Sequence, residues 1–286
     1  MKTFSLLLVL VFSTSTLLAQ INKPAPSPRT KAEYNVGLVD VSLEYGTPGV
    51  KGRTIFGSLI PYGKVWRTGA NSSTKISFSG DVELAGNKLP AGDYALYSVP
   101  GEKEWTIIIH DNTRLWGAGN YKEENDVFRF KVPAIKLSDF HETFSIGFEN
   151  YHANGGDMII LWENTKIKIP VFVDTDELIF AEIDSKLINA TDKVSAATYF
   201  DSALFYYEKN KDLPTALSWM DEAVKLQPNA FWMVYYQAEI AHKLGQNEKA
   251  KASAESSLRM AKASEAGDFG YIAKNELLLK QINDSK

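Results

Sequence analysis

The chain contains no cysteine. Disulfide stapling, thiol catalysis and cysteine-ligated zinc are excluded, and the fold must be held by its core alone. Histidine is nearly as scarce: His110, His141, His152 and His242 are scattered and form no HExxH pair, the spacing that would put two ligands on one helical face. There is no GxSxG nucleophile elbow and no GxxxxGK[ST] phosphate loop, since Gly63-Lys64 lacks the preceding glycine frame. These motifs imply no metal and no cofactor. The formal net charge is only -4, and no basic patch marks a nucleic-acid binder. Beyond the N-terminus no apolar run approaches the roughly 20 residues of a transmembrane helix, and no polybasic amphipathic segment suits a membrane surface.

What is present begins with MKTFSLLLVLVFSTSTLLAQ. A short positive start at Lys2, an apolar stretch from Phe4 to Phe12 and Leu17-Leu18-Ala19 predict a signal peptide over 1–19. The mature chain is therefore expected outside the cytoplasm, periplasmic or secreted and surface-associated. Residues 20–33 carry Pro24, Pro26 and Pro28 among polar residues and read as a flexible tether. From 34 to 173 the apolar residues recur with period 2, as in Val36, Leu38, Val41 and Leu43, then Ile76 and Phe78, then Trp105, Ile107 and Ile109, then Met158, Ile160 and Trp162. Glycine, proline and asparagine turns separate these runs. Eight or nine strands in an all-β antiparallel sandwich are predicted, with no helix between them.

Beyond Asp174 the period changes to about 3.6. A linking helix is expected over 174–190, with Thr191 or Asp192 capping the next helix. In 191–286 a repeat appears: Ala216 and Ala250 stand 34 positions apart, the period of the tetratricopeptide repeat. Phe200, Tyr207, Ala216, Ala223 and Pro228 fall on that family's Trp, Tyr, Ala, Ala and Pro positions, so this half resembles it. An amphipathic segment over about 268–283 reads as a capping helix. The whole is thus expected to be multi-domain, a β sandwich followed by an all-α tetratricopeptide-like domain.

In the first half, GRTIFGSLIPYGKVWRTGANSSTKISFS, then LPAGDYALYSVPGEKEWTIII, then a Trp-Gly loop and a strand around Asp126–Arg129 occur in order. This combination resembles a secreted bacterial family catalogued as a domain of unknown function, number twenty-nine-eleven, over about residues 27–173. The resemblance implies a secreted β domain and supplies no catalytic residue.

The candidate sites follow from residue chemistry. Arg53, Lys64, Trp66, Arg67 and Asn71 would form a polar cluster in which arginine offers a fork for carboxylate or phosphate and tryptophan a face for a sugar or cation. The alternative places Trp66 in the core, pairs Arg67 with Glu149 or Asp126, and makes Gly69-Ala70-Asn71 a turn. The 110–128 stretch is long for a hairpin connection. Its Arg114, Trp116 and Tyr121 would suit carbohydrate or peptide, unless Trp116 folds back as a lid. In the helical half, the repeat resemblance places Thr198, Asp201, Phe205 and Glu208, then Trp232, Tyr235, Glu239 and His242, on a concave face. That face would suit a basic or apolar protein segment, unless its aromatics are used for packing.

Three functions remain open at this point. The first is a non-catalytic exported scaffold of the envelope whose repeats hold a protein partner. The second is a sandwich that binds a carbohydrate or small molecule. The third is a hydrolase or isomerase with an unrecognised site.

Overall fold

The computed structural model describes residues 23–284, so the expected signal peptide and the start of the tether lie outside the described residues. The chain divides into two compact units, Met1–Val173 and Asp174–Lys286.

The first unit is all β. Its strands are β1 (Arg29–Val36), β2 (Val39–Gly46), β3 (Ala70–Phe78), β4 (Val82–Leu84), β5 (Asn87–Leu89), β6 (Gly92–Val99), β7 (Glu104–His110), β8 (Asp126–His152) and β9 (Gly155–Phe172). All neighbours are antiparallel, in the order β1-β2-β3-β6-β7-β8-β9-β4-β5. Period-2 alternation is clearest in β2, where Val39, Val41, Leu43 and Tyr45 are buried while Asp40 and Ser42 face water. Two boundaries differ from the sequence expectation. β1 begins at Arg29, so 29–33 is a paired edge strand and not tether. Leu38 is 55% exposed in the tight turn after Gly37, so the apolar run around it is a hairpin.

β8 makes the sandwich. Its first part, Asp126 to Pro133, pairs with β7, and from Ala134 onward it pairs with β9. One strand is thereby handed from one sheet to the other, which is how strands turn sandwich corners. Pro133, which has no N–H to give a ladder, sits where the partner changes. The register then jumps between Lys136 and His141. The backbone groups freed there are recovered: Asn164 Nδ2 donates to the Asp139 carbonyl at 3.0 Å, and Val50 N donates to the Glu142 carbonyl at 2.8 Å.

The core between the sheets is strongly aromatic. Trp66 stacks on Trp162 at 5.8 Å and meets Trp105 and Phe144 edge-on at 5.9 and 5.4 Å. Its indole N–H donates to the Gly69 carbonyl at 3.0 Å. At the β8–β9 turn, Gly155 has φ +145°, and a Cβ there would lie 2.0 Å from the Val171 carbonyl oxygen. Backbone cannot yield as a side-chain tip can. Gly155→Ala is therefore expected to cost at least about 2 kcal/mol, seen as a lower urea midpoint for the β unit.

The second unit is helical: α1 (Thr175–Ile183), α2 (Ala196–Glu208), α3 (Leu213–Leu226), α4 (Phe231–Lys243), α5 (Asn247–Lys262) and α6 (Tyr271–Asp284). A π-helical turn, Asp184–Ile188, follows α1. Asp174 caps α1 by accepting from Glu177 N. α2 is capped by Ser195, three residues beyond the expected Asp192, through the Thr198 N–H at 3.0 Å. α3 opens on Asp212 with proline in its first turn. α2 packs on α3, α3 on α4, α4 on α5 and α5 on α6. Ala203, Ala216, Ala238, Ala250 and Ala254 are fully buried; small side chains at these positions let the helices approach closely.

Candidate functional site

The loop between β7 and β8 is ordered because it borrows the start of β3. Ser73 N donates to the Leu115 carbonyl and Gly117 N to the Asn71 carbonyl, both at 3.1 Å, and Ser72 bridges Trp116. Tyr97 Oη, from β6, donates to the Gly117 carbonyl at 3.0 Å. Leu115, Ala118 and Tyr121 then cover an apolar patch of Ala95, Tyr97 and Ile108 on the outer sheet face. The loop is thus glued down by its own apolar side chains while Trp116 points away, 70% exposed.

Beside Trp116 lies a cleft of about 310 Å³ lined by Arg29, Glu44, Tyr45, Gly46, Ala70, Asn71, Ser72 and Ser73. Arg29 reaches it because β1 pairs Arg29 opposite Gly46. Its guanidinium salt-bridges Glu44, with Lys31 at 3.7 Å and Lys75 at 4.0 Å. The Arg29 hydrogen bond, helped by these cations against partial burial, holds the Glu44 carboxyl below the usual carboxylate range.

The structure sorts the candidate residues of this unit. It brings Asn71 and Trp116 together at the cleft, while Arg67 lies under the loop at Gly117 and outside the cleft lining. Asn71 sits at φ +68° and donates from Nδ2 to the Ser27 carbonyl at 3.2 Å. Trp66 is core and not ligand surface. Arg53 closes a turn, donating from Nε to the Val50 carbonyl at 2.9 Å and from Nη2 to the Gly49 carbonyl at 2.6 Å. Lys64 is exposed outside the cleft lining, as is Arg114.

Tyr121 is occupied internally. Its hydroxyl lies 2.8 Å from both Asp126 oxygens and receives Arg129, so burial first and Asp126 second push it well above the ordinary phenol range. The pairing expected for Arg67 is likewise corrected: Asp126 is taken by Arg129, and Glu149 by Lys166 at 2.5 Å. His110 is fully buried. Its Nδ1 accepts from Asn112 N at 3.0 Å and Nε2 faces the Lys122 carbonyl at 3.3 Å. With Nδ1 accepting, Nε2 is the nitrogen placed to donate, and the ring has a structural role. Arg29 and Glu44 were missed by sequence reasoning because strand pairing, not local pattern, delivers them.

On the helical unit the expected concave face is less open. Tyr235 is only 8% exposed. Its hydroxyl and that of Tyr207, the latter at 2.5 Å, both donate to the Glu239 carboxylate. Lys274 and Lys243 lie over the Tyr271 and Tyr207 rings at 4.5 and 4.8 Å. Trp232 is half-buried edge-on to Phe231, Phe205 packs on Phe180 at 5.1 Å, and His242 Nδ1 meets Asn247 at 3.3 Å. Glu208 is exposed. Asp201 lines a separate cavity of about 260 Å³ with Thr198, Ile179 and Ile183, and partial burial of its carboxyl raises its pKa. Among the described residues no group of three or more His, Asp and Glu gathers as a metal site, and no helix is long and apolar enough to cross a membrane.

The family described as Protein of unknown function (DUF2911) matches residues 27–171, spanning nearly all of the β unit and the whole Trp116 cleft. No curated protein matches the chain.

Proposed function

The chain belongs to the DUF2911 family, whose function is unknown, and from that premise we propose that it is an exported binding protein that takes a carbohydrate-type ligand on the Trp116 face of its β unit. One observation carries this: a large indole, 70% exposed, stands on a loop whose main chain is anchored by three hydrogen bonds, at the Leu115 carbonyl, the Gly117 N–H and the Gly117 carbonyl. A flat aromatic beside a polar cleft fits a sugar ring, which has an apolar face and hydroxyl edges. Asn71, Arg29 and Ser72 supply polar groups for those hydroxyls. Glu44, held ionised by three cations, suits accepting hydroxyl hydrogen bonds more than the proton transfer near neutral pH that a hydrolase would ask of it. The N-terminal sequence supports an extracytoplasmic setting.

A protein segment held by the tetratricopeptide-like α unit is the weaker reading. Tyr235 and Glu239, which would have made the contact, already satisfy each other.

The test is a melting screen of the full chain against an oligosaccharide panel. At least one class should raise the melting temperature. Trp116→Ala should abolish that rise while changing unliganded stability by no more than about 0.5 kcal/mol, as for an ordinary surface substitution. An undiminished rise with Trp116→Ala contradicts the proposal.

A further inference from the structure

A single imidazole pins both ends of the loop that carries Trp116. His110 closes β7 and is fully buried. Its Nδ1 accepts from Asn112 N at 3.0 Å, where the loop begins. Its Nε2 faces the Lys122 carbonyl at 3.3 Å, where the loop ends. Asn112 passes the hold on, because its Oδ1 accepts from Arg114 N at 3.0 Å. The ring also packs on Tyr97 and Tyr121 at 5.4 and 5.3 Å, and Tyr97 grips the middle of the loop at the Gly117 carbonyl. The start, middle and end of the loop thus meet at one side chain.

This arrangement holds only while Nδ1 has a free lone pair. A protonated imidazole has two N–H donors and no acceptor. An added proton would point at the Asn112 N–H, donor against donor, and a buried donor left without an acceptor costs about 1–3 kcal/mol. The groups around the ring give that proton one way out. Across the ladder, Asp126 in β8 stands in register with His110 but is engaged by Arg129 and Tyr121. From β6 comes the Tyr97 phenol, with the Arg67 charge in reach of it. Lys122 presents its carbonyl, while its ammonium pairs with Glu124 at 3.3 Å. Asp111 is different: its carboxylate lies 3.8 Å from Nδ1 and is 62% exposed. An imidazolium can turn its Nδ1–H to Asp111, and doing so displaces Asn112.

We infer that His110 is the positioning residue of the Trp116 loop and makes it a pH-sensitive latch: the neutral ring holds the loop down, and protonation moves Nδ1 from Asn112 to Asp111 and frees it. That the latch regulates ligand holding rests on the binding reading above; the latch itself does not. The direction follows from where the proton fits. The held loop excludes it and the freed loop accepts it, so acid favours the freed loop. The gain is up to about tenfold for each pH unit below the ordinary imidazole range near 6.5.

The test is amide hydrogen exchange of the unliganded full chain between about pH 7 and about pH 5, together with a long-range proton–nitrogen spectrum of the imidazoles. Protection of the Asn112, Ser73 and Gly117 amides, corrected for intrinsic exchange, should fall at least about tenfold over that range. The fall should track protonation of the His110 ring, while the β2 amides stay protected. His110→Asn puts a non-titrating oxygen near the place of Nδ1 and should remove the pH dependence. If that variant does not fold, Asp111→Asn decides: it should move the loss of protection to lower pH. A His110 ring that stays neutral across the range, or one that takes its proton while the loop amides stay protected, overturns the latch. So does a loss of protection that persists in His110→Asn or is unmoved in Asp111→Asn. A saccharide found by the melting screen should stabilise the chain less at about pH 5 than at about pH 7. Equal stabilisation with a freed loop overturns the regulation and keeps the latch. A screen in which no saccharide acts overturns the binding reading alone.

Discussion

Trp66→Ala is expected to destabilise the β unit by about 3–5 kcal/mol, the usual cost of truncating a buried tryptophan. The indole is 6% exposed and touches Phe56, Trp105, Phe144 and Trp162. Truncation removes all four ring contacts and leaves the Gly69 carbonyl without its donor. Domains of this kind have about 5–15 kcal/mol in total, so the variant should lie near its unfolding transition. Urea denaturation followed by near-ultraviolet circular dichroism measures the loss, and Trp66→Phe should recover part of it. A loss below about 1 kcal/mol would mean that the aromatic cluster does not hold the two sheets together.

The α unit should weaken steeply in alkali. Burial first, then the hydrogen bonds to Glu239 and its charge, push the Tyr207 and Tyr235 hydroxyls well above the phenol range. In the unfolded chain both would ionise at about pH 10. Below that value both states keep their protons and stability does not depend on these groups. Above it the unfolded state releases protons that the folded state retains, so unfolding gains about 1.4 kcal/mol per pH unit for each tyrosine. The stability they contribute is thus complete below about pH 10 and is lost as pH climbs toward the folded values. Urea midpoints of the α unit at about pH 9 and about pH 11 should differ clearly. Tyr235→Phe should flatten the slope by one tyrosine's share, since Tyr206 and Tyr271 are also raised by burial. Equal midpoints would show that the two hydroxyls are not locked to Glu239.

Much of the fold could be read from the residues, and the exceptions have physical causes. β2 announces itself because one face is buried and every second residue is apolar, whereas β7 is buried on both faces from Ile107 onward and shows as a short apolar run. β1 does not: it is an edge strand, RTKAEYNV, whose first residues are polar on both faces, so no period-2 signal distinguishes it from tether. The 27-residue β8 reads as separate runs around Phe128 and Phe144 because Pro133 and the register jump break its pattern. Handing a strand from one sheet to another leaves no local mark. In the helices, Ala216 and Ala250 signal close packing through their spacing and are both fully buried.

The candidate site was legible in pieces. Residues 61–78 and 110–128 stand out for arginine, tryptophan and asparagine among turn residues, yet it is the backbone pairing of Asn71, Ser72 and Ser73 with Leu115, Trp116 and Gly117 that brings them together. Arg67 stands out by type, but its lack of an acid depends on Arg129 and Lys166 winning Asp126 and Glu149. That competition between distant pairs is invisible in one dimension. The same holds for Tyr207 and Glu239, 32 positions apart, which turn an expected open groove into a closed hydrogen-bonded cluster.

The most direct test of the Trp116 site is a proton–nitrogen correlation spectrum of the indole groups during titration with the members of the oligosaccharide panel. The chain has six tryptophans, and Trp66, Trp105 and Trp162 are buried in the β core, which makes them internal controls. The account predicts that the Trp116 indole resonance shifts progressively while those three stay fixed. A resonance for Trp116 that stays fixed through every titration, or a ligand that binds and moves only other tryptophans, would contradict it.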